Sequence, residues 1–539
     1  MTISGSMMNR PLLISSILMH AVGNNPDQEI VSAMGDGAIH RYTYRDFNQR
    51  VRKLAAGLKG HGVQSGDRVA TLAWNTYRHL EIYYATAGLG MVCHTINPRL
   101  FHEQIAFIIN DAQDVVLFYD RHFSSLVEQL KPLCKSVRNW VLLDEPEPAP
   151  DNADLSVYSS WLVDEDADFS WLEFDENVAC GLCYTSGTTG NPKGALYSHR
   201  STLLHAYASC HPDAVGVSRR DAVMPLVPMY HVNAWGLPYS GLLSGAKFVL
   251  PGSDHSGAAL YDLCESEGVT LSAGVPSIWQ ILLDHVQTQS KRFSTLSRAI
   301  IGGSACPPAM ITTLARMNVS VRHAWGMTEV SPLGTVCLLL PEHEALAEDE
   351  KLHVLASQGR PLFGAEFAIS GDNSQQRIPH DGVATGNLMV RGNWVIARYF
   401  DQSESALDNG WFHTGDVGSI DADGYMRVSD RSKDVIKSGG EWISSIELEN
   451  IALEHPDVHQ AACIAKPDKK WGERPVLVVQ PKPSSSPSAA SVLSIYADRV
   501  AKWMVPDDVF FVDDMPMTAT GKLQKSALRS QLFSHKENK

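Results

Sequence analysis

A segment rich in glycine and hydroxyl side chains is the clearest candidate for a binding site in the sequence. Residues 184–194, YTSGTTGNPKG, directly follow the apolar stretch 178–183. Small residues leave backbone N–H groups free to surround phosphate oxygens, and Lys193 adds a positive charge. The common P-loop has Ser or Thr directly after Gly-Lys, whereas here Pro192 precedes Lys193 and Gly194 follows it. The segment therefore predicts an anion-binding loop of another type. The alternative, a flexible surface loop, fits this composition poorly.

Other polar residues could serve a nucleotide or an acid, but most have an ordinary structural alternative. Gly302 and Gly303 would let a ligand approach the backbone closely. The segment 325–329, WGMTE, combines an aromatic face with a carboxylate. Asp416 follows a glycine, where an aspartate is more often a turn residue. His231 alone would more often be a histidine of the core, and Lys522 after Gly521 would more often lie in an exposed turn.

The pattern of apolar runs indicates the elements that position these residues. Helical patterns alternate with short apolar runs at 69–73, 115–119, 247–250, 268–271, 299–303 and 319–324. Such alternation is typical of an α/β fold with largely parallel sheets. Ligands of such folds bind at the carboxyl ends of the strands, where polar or glycine-rich turns follow.

A change of pattern after residue 369 predicts a second kind of architecture. Asp-Gly or Asn-Gly turns at 381–382, 409–410 and 423–424 indicate a smaller β-rich subdomain. We therefore expect a large N-terminal domain at 1–430, with parallel sheets flanked by helices, and a small α+β C-terminal domain at 431–539. The expected elements of the small domain are a helix at 444–454, strands at 461–465 and 476–480, and an exposed Pro/Ser-rich loop at 481–491.

Composition and charge disfavour several classes of protein. With 539 residues, 44% hydrophobic and 19% charged, the chain is typical of a multidomain globular protein. Its 45 basic and 60 acidic residues give a formal charge of -15, which opposes binding to nucleic acids and anionic lipid surfaces. Nine dispersed cysteines favour a reduced, cytoplasmic setting, and strand packing is the preferred interpretation of Cys180 and Cys183. The apolar stretch 12–19 is too short to span a membrane.

Five segments together resemble the signatures of the adenylate-forming superfamily, which includes acyl-CoA ligases, firefly-type luciferases and nonribosomal-peptide adenylation domains. They are 184–194, 325–329, 414–416 (TGD), 430–442 (DRSKDVIKSGGEW) and 516–523 (PMTATGKL). The resemblance implies ATP, Mg²⁺ and coenzyme A, a carboxylic acid as substrate, and a mobile C-terminal domain. It implies a first step that forms an acyl-adenylate and pyrophosphate, and a second that forms the CoA thioester and AMP. It leaves a homodimer open.

The resemblance also implies roles residue by residue. Catalysis would fall on Lys522, His231, Glu329 and Lys193, and Mg²⁺ would be held by Thr185 and Glu329. The acid would be bound by His231, Val232, Trp235 and Gly303. The nucleotide and CoA would be bound by Thr185, Ser186, Gly187, Thr188, Thr189, Gly190, Lys193, Gly302, Gly303, His323, Ala324, Trp325, Gly326, Met327, Thr328, Asp416, Arg431, Lys433, Lys437, Trp442 and Lys522.

Two of these positions depart from the commonest pattern of the superfamily. Most members have Tyr where Trp325 stands, but an indole keeps the face that would stack on adenine. Members often have Asp at the hinge position of Lys433, whereas several acyl-CoA ligases have Lys, which favours that branch.

The segment 229–236, MYHVNAWG, bears on the acid. It resembles bacterial medium- and long-chain fatty acyl-CoA ligases, in which the tryptophan gates the acyl tunnel. It also resembles ligases for 3-(methylthio)propanoate in dimethylsulfoniopropionate catabolism, and overall likeness favours this second group. The alternatives are a medium- or long-chain fatty acyl-CoA synthetase, a luciferase-like oxygenase or carrier-loading domain, and a nonenzymatic nucleotide sensor.

Overall fold

The computed structural model describes residues 2–35, 37–144, 156–164, 169–185, 191–371, 376–439, 441–497, 499–517 and 523–533. Two large sheets with parallel centres dominate the N-terminal part. The first is parallel apart from the pair of strands at one edge. From edge to edge its strands are Ser156–Val157, Asn139–Leu142, Val116–Tyr119, Arg68–Leu72, Val92–Thr95, Ala179–Tyr184 and Gly194–Ser198.

The second sheet has parallel strands at its centre and antiparallel strands at both edges. From edge to edge its strands are Arg360–Pro361, Leu333–Val336, Ser320–Gly326, Arg298–Gly302, Leu271–Gly274, Ala222–Pro225, Lys247–Leu250, Glu29–Ala33 and Ile39–Thr43. Short apolar strands covered on both faces are what a buried parallel sheet requires.

The helix Tyr77–Gly88 packs between the two sheets, and nearly all of its side chains are buried. It carries Glu81, a fully buried carboxylate. A buried charge is tolerated only when it is paired and hydrogen-bonded. Glu81 meets this condition, because the Arg50 guanidinium lies 2.6 Å away and the hydroxyls of Tyr158 and Tyr42 donate to it at 2.5 and 3.1 Å.

The other helices of this part also present apolar side chains to the core. Tyr44–Gly60, for example, begins with a capping box between Thr43 and Asp46 and buries Phe47 and Leu54 along one face. The remaining helices of this part are Ile14–Asn24, His102–Ala112, Ser124–Leu130, His199–Cys210, Leu237–Ser244, Gly257–Ser266, Pro276–Thr288, Pro308–Arg316 and Glu348–Leu355.

Two smaller sheets follow. The first is antiparallel and comprises Ala365–Ser370, Gly386–Gly392, Leu407–Asp408, Trp411–Ile420 and Met426–Arg431. The second is mixed and comprises Ile436–Ser438, Glu441–Ile443, Val458–Asp468, Gly472–Pro481 and Val509–Phe511. The helices Ser445–Leu453, Ala489–Ser494 and Lys525–Phe533 belong with the second sheet.

The predicted α/β class and the β-rich subdomain are confirmed, and most differences concern element ends. The run 268–271 was expected to be a strand, but the strand is Leu271–Gly274, because Gly268 at φ 64° first terminates the preceding helix. The predicted strands 461–465 and 476–480 are the apolar centres of a longer hairpin. The strand Met426–Arg431 runs one residue past the predicted domain boundary at residue 430.

Candidate functional site

The predicted phosphate loop leaves one strand and returns on its neighbour. Tyr184 and Gly194 are paired at the ends of the antiparallel strands Ala179–Tyr184 and Gly194–Ser198. Inside that pair the Thr185 N–H donates to the Lys193 carbonyl at 2.9 Å, and the Lys193 N–H donates to Thr185 Oγ1 at 3.2 Å. Thr185 and Lys193 therefore stand side by side at the base of the loop. Ser186, Gly187, Thr188, Thr189 and Gly190 lie outside the described residues.

The two cysteines of the C-x-x-C segment lie on the strand that enters this loop. Both thiols are buried, and burial raises the pKa of Cys180 to about 12 and that of Cys183 to about 11. They are therefore protonated packing groups, as expected from the sequence. Cys183 Sγ also lies 3.4 Å from Asn233 Oδ1 on the segment predicted to bind the acid.

Glu329 and Lys193, both predicted to act on the ATP phosphates, share one aromatic neighbour. The Tyr399 hydroxyl donates to Glu329 Oε1 at 2.8 Å. Lys193 Nζ lies 5.0 Å from the centroid of the Tyr399 ring, within the range of a cation–π contact. Tyr197, on the strand that leaves the loop, donates its hydroxyl to the Thr328 carbonyl at 2.8 Å. These contacts join the two large sheets at the predicted site.

Trp325 and Asp416, predicted to bind adenine and ribose, are in direct contact. The indole Nε1–H donates to Asp416 Oδ2 at 2.8 Å, and Arg431 Nε lies 3.4 Å from Asp416 Oδ1. The Trp325 indole is buried and meets the Phe367 ring edge to face at 5.3 Å. Asp416 and Arg431 are also cross-strand partners in the antiparallel sheet. The sequence separates these residues widely, and the fold brings them into one group.

The glycine-rich turn at Gly302 and Gly303 ends a strand that pairs with Ser320–Gly326, the strand that carries Trp325. Gly302 pairs with Ala324, and a side chain at Gly302 would meet the Ala324 carbonyl at 2.6 Å and the Trp235 ring at 3.4 Å. Gly303 has φ 81°, which favours glycine. His323 is engaged through both ring nitrogens, since Cys306 N–H donates to Nε2 and Nδ1 lies 3.1 Å from the Ala356 carbonyl. Burial lowers the pKa of His323 to about 4, so its neutral side chain belongs to the core.

Met327 and Gly326 follow Trp325 at a β-bulge and are half-buried, whereas Thr328 and Glu329 are buried in a short 3₁₀ turn. Glu329 and Thr185 offer only oxygen ligands. Within the described ranges, no group of three or more His, Cys, Asp or Glu side chains is arranged to hold a metal ion. One carboxylate and one hydroxyl fit Mg²⁺ that is held mainly by nucleotide phosphates and water.

The predicted acid-binding segment has an unusual backbone. Val232, Asn233, Ala234 and Trp235 have φ values of 45°, 52°, 47° and 57°, and Gly236 follows at 75°. These residues form a left-handed turn, whose side chains are buried. Val232 and Trp235 thus belong to the core, and Trp235 packs against Gly302.

His231 precedes the turn and is half-buried at the edge of a cavity of about 160 Å³. Val227, Tyr230, Val275 and Ile278 supply much of its apolar wall. Asn97, Arg99 and His255 add polar groups. Trp235 does not line this cavity.

The predicted hinge is a turn after the strand Met426–Arg431. The Ser432 N–H and hydroxyl both donate to the Gly415 carbonyl, at 3.0 and 2.9 Å, next to Asp416. Lys433 and Lys437 are exposed on either side of Asp434. Lys522, Gly440 and the side chain of Trp442 lie outside what the structure describes.

Ion pairs connect the helix Lys525–Phe533 to the hinge segment and to the helix that follows it. Arg529 Nη2 lies 2.6 Å from Asp434 Oδ1 in the hinge segment, and Lys525 Nζ lies 2.7 Å from Glu449 Oε1 in the helix Ser445–Leu453. The Ser445 N–H, at the start of the helix Ser445–Leu453, donates to Asp430 Oδ2 at 2.8 Å. Lys525 and Arg529 follow the predicted catalytic Lys522 by three and seven positions in the sequence.

Sequence reasoning missed three residues of this region. Tyr399 lies in an irregular segment, and only the adjacent aromatic pair at 399–400 marked it. Asn233 lies in the segment 229–236, which bears on the acid, but the sequence assigned it no binding or catalytic role. Trp471 accepts the Gly439 N–H at its carbonyl, at 2.7 Å, and its ring lies over the α-carbon of Gly439. A tryptophan between the two predicted strands 461–465 and 476–480 was the available signal.

Comparison with known proteins gives consistent matches over the chain. The model of AMP-binding enzymes matches residues 18–400, and that of the AMP-binding enzyme C-terminal domain matches residues 447–522. A 3-methylmercaptopropionyl-CoA ligase of Ruegeria lacuscaerulensis is 50% identical and covers 98% of each chain. A medium-chain-fatty-acid–CoA ligase of Ectopseudomonas oleovorans is 46% identical, over 98% of this chain and 97% of its own.

Among solved structures, the anthranilate CoA ligase AuaEII in complex with anthranoyl-AMP matches with a TM-score of 0.86. It covers 97% of this chain and 98% of its own at 24% identity, so it supports the fold. In the described part of the chain, no helix is both long enough and apolar enough to cross a bilayer.

Proposed function

The chain belongs to the family of AMP-binding enzymes and is an AMP-forming acyl-CoA ligase, and we propose that its preferred acid is 3-(methylthio)propanoate. The sequence motifs predicted membership of the adenylate-forming superfamily, and these matches confirm it. One structural observation carries the assignment of the site. Tyr399 contacts both Lys193 and Glu329. Trp325, four residues before Glu329, contacts Asp416, which in turn lies beside Arg431.

We assign the phosphates of ATP to the Lys193 and Glu329 end of this set of contacts and the nucleoside to the Trp325 and Asp416 end. A carboxylate suits two vicinal ribose hydroxyls, and the Trp325 N–H holds it in place. Thr185 and Glu329 would hold Mg²⁺, which when bound supplies positive charge to the phosphate oxygens. Lys193, next to Thr185, adds a second positive charge at the same point.

The reaction divides into two displacements. A carboxylate oxygen of the acid attacks the α-phosphorus of ATP and pyrophosphate leaves; the CoA thiolate then attacks the acyl carbonyl carbon and AMP leaves. Positioning and charge neutralisation account for most of the first step. We propose that Lys522 bridges the carboxylate and α-phosphate oxygens in that step, and that the C-terminal domain rotates about Lys433 before the second.

Half-reactions test this division. Lys522→Ala should abolish acid-dependent ATP–pyrophosphate exchange but leave thioester formation from supplied acyl-adenylate largely intact. Exchange at the wild-type rate would show that the lysine is wrongly assigned.

The case for a short acid rests on Trp235. Its indole is buried, and its ring would lie 3.4 Å from a Cβ at Gly302, next to Gly303, which is predicted to bind the acid. Each additional buried methylene gains only about 0.8 kcal/mol, whereas displacing a packed indole costs more than one such increment. A short chain therefore fits this arrangement better than a long one. The 50% identity to a 3-methylmercaptopropionyl-CoA ligase points the same way, and the 46% identity to a medium-chain ligase supports the alternative.

A panel of acids decides between these substrates. Pentanoate is the matched control, because it replaces the sulfur of 3-(methylthio)propanoate with a methylene. A thioether beside an aromatic ring gains about 0.3–1.5 kcal/mol, so kcat/KM should favour the thioether by about twofold to tenfold. The panel should extend to dodecanoate, and a rise in kcat/KM up to about ten carbons, where methylene increments accumulate, would favour the medium-chain alternative.

We propose that the cavity beside His231 receives the thiol-bearing arm of CoA. It reaches His231 without contact to Trp235, and its outer end includes the exposed side chain of Ile281. Ile278→Trp would fill it. If the arm of CoA binds there, thioester formation should fail while acid-dependent pyrophosphate exchange continues. If the acyl chain binds there instead, both half-reactions should fail.

On this choice of acid, we propose a cytoplasmic role in dimethylsulfoniopropionate catabolism. A deletion strain that still converts 3-(methylthio)propanoate at the normal rate would contradict it.

A further inference from the structure

The irregular segment Trp394–Phe400 connects two parts of the proposed ATP site. Its Ile396 N–H donates to the Glu329 carbonyl at 2.8 Å, and its Phe400 N–H donates to the Gly194 carbonyl at 2.7 Å. Near its start, the Ser331 hydroxyl donates to the Trp394 carbonyl at 2.8 Å. The segment is therefore fixed by backbone contacts to both the turn that carries Glu329 and the strand that leaves the phosphate loop.

Tyr399 stands between these two anchoring points and contacts both functional side chains. Its hydroxyl donates to Glu329 Oε1 at 2.8 Å, and its ring lies under Lys193 Nζ, 5.0 Å from the centroid. A phenol is protonated at neutral pH, so Tyr399 acts as the donor and the Glu329 carboxylate as the acceptor.

We propose that Tyr399 is a positioning residue for the phosphate end of ATP. Its hydroxyl holds the Glu329 carboxylate in one orientation, and its ring holds the Lys193 ammonium beside it. The proposal rests on the roles given above to Glu329 and Lys193. Lys193 is exposed, and because the four-carbon stem of a lysine is flexible, a ring contact limits where its charge lies.

Substitutions at Tyr399 separate the two contacts. Tyr399→Phe removes the hydroxyl and keeps the ring, whereas Tyr399→Leu removes both. Tyr425→Phe is the matched control, because Tyr425 is a buried tyrosine whose hydroxyl donates to the Leu338 carbonyl at 2.6 Å, away from the phosphate loop. Thermal unfolding of each variant monitors folding.

Calorimetric titration of ATP, without acid and with or without Mg²⁺, gives a readout that is independent of turnover. Loss of a hydrogen bond to a charged group should weaken ATP binding in Mg²⁺ by about tenfold in Tyr399→Phe. Binding without Mg²⁺ should change by less than about twofold, because the ring contact to Lys193 is retained. Tyr399→Leu should weaken binding under both conditions, and Tyr425→Phe should change neither.

A double-mutant cycle with Glu329→Gln tests whether Tyr399 acts through Glu329. Adding Tyr399→Phe to Glu329→Gln should have little further effect on ATP binding in Mg²⁺. Equal losses in the wild-type and Glu329→Gln backgrounds, or equal losses with and without Mg²⁺, would overturn the inference. If Glu329→Gln alone left binding in Mg²⁺ unchanged, the role of Glu329 itself would be refuted, and the inference with it.

Discussion

The left-handed turn at 232–235 provides a direct test of how this structure holds its acid-binding residues. Each non-glycine residue in the left-handed region costs about 1–2 kcal/mol, so the four together cost about 4–8 kcal/mol. Such strain persists only where the surroundings determine the conformation, and it is concentrated at functional sites. The contacts of the turn must therefore offset most of that cost.

Asn233 supplies the polar part of this compensation. Its buried Oδ1 accepts from the Tyr83 hydroxyl at 3.2 Å and lies 3.4 Å from Cys183 Sγ and 3.5 Å from Thr95 Oγ1. Asn is also more tolerant of the left-handed region than most residues. Asn233→Ala removes these contacts, at about 1–3 kcal/mol, and loses part of that tolerance. We expect the free energy of unfolding to fall by about 2–4 kcal/mol.

Asn233→Gly is the matched variant, because it removes the same contacts but adopts positive φ freely. At an ordinary position Gly is less stable than Ala, since it loses more entropy on folding. At φ 52° the order should reverse, with Asn233→Gly more stable than Asn233→Ala by about 1 kcal/mol. Urea unfolding, followed at the transition of the N-terminal part, measures both variants. An Ala variant at least as stable as the Gly variant would refute the left-handed turn.

Three further substitutions test the hinge, a buried aspartic acid and the site of the acyl substrate. Arg529→Gln removes the ion pair to Asp434 and should slow adenylation more than thioester formation from supplied acyl-adenylate; Arg499→Gln, which breaks another ion pair of the same domain, should leave that ratio unchanged. Burial raises the pKa of Asp120 from 3.8 to about 7, so the folded state keeps a proton that the unfolded state releases, and stability falls as pH rises through that window. Asp120→Asn should therefore raise Tm at about pH 8 and have little effect near pH 4. Trp235→Ala should raise kcat/KM for octanoate relative to pentanoate, as measured by AMP release; an unchanged ratio would mean that the indole does not limit chain length.

The sequence predicted elements well where a single local pattern decides them. The strand Lys247–Leu250 was expected with the same bounds, because a short apolar run flanked by glycine and proline has few alternatives in a parallel sheet. The turn at Asn409-Gly410 between Leu407–Asp408 and Trp411–Ile420 follows from the positive φ that both residues adopt. Family resemblance added the identity of the site residues that now lie together, such as Trp325 and Asp416.

What escaped prediction depends on contacts between distant segments. Tyr399 is seventy residues from Glu329 in sequence, and neither its neighbours nor its spacing indicate that a phenol is needed there. The left-handed turn at 232–235 contains no glycine, and Gly236 only follows it; Val232 has a β-branched side chain that normally avoids positive φ. Contacts with distant segments determine both features, and a single sequence gives no local sign of them.

The strand Ala179–Tyr184 shows how that packing couples the two halves of the site. At its end, Tyr184 leads into the phosphate loop, and one residue earlier Cys183 contacts Asn233 in the left-handed turn. A displacement of this strand would therefore move the phosphate loop and the acid-binding turn together. Cys183→Ser keeps a donor but is smaller, and it should change KM for ATP and for the acid in the same direction. A change confined to one of the two substrates would show that the loop and the turn are positioned independently.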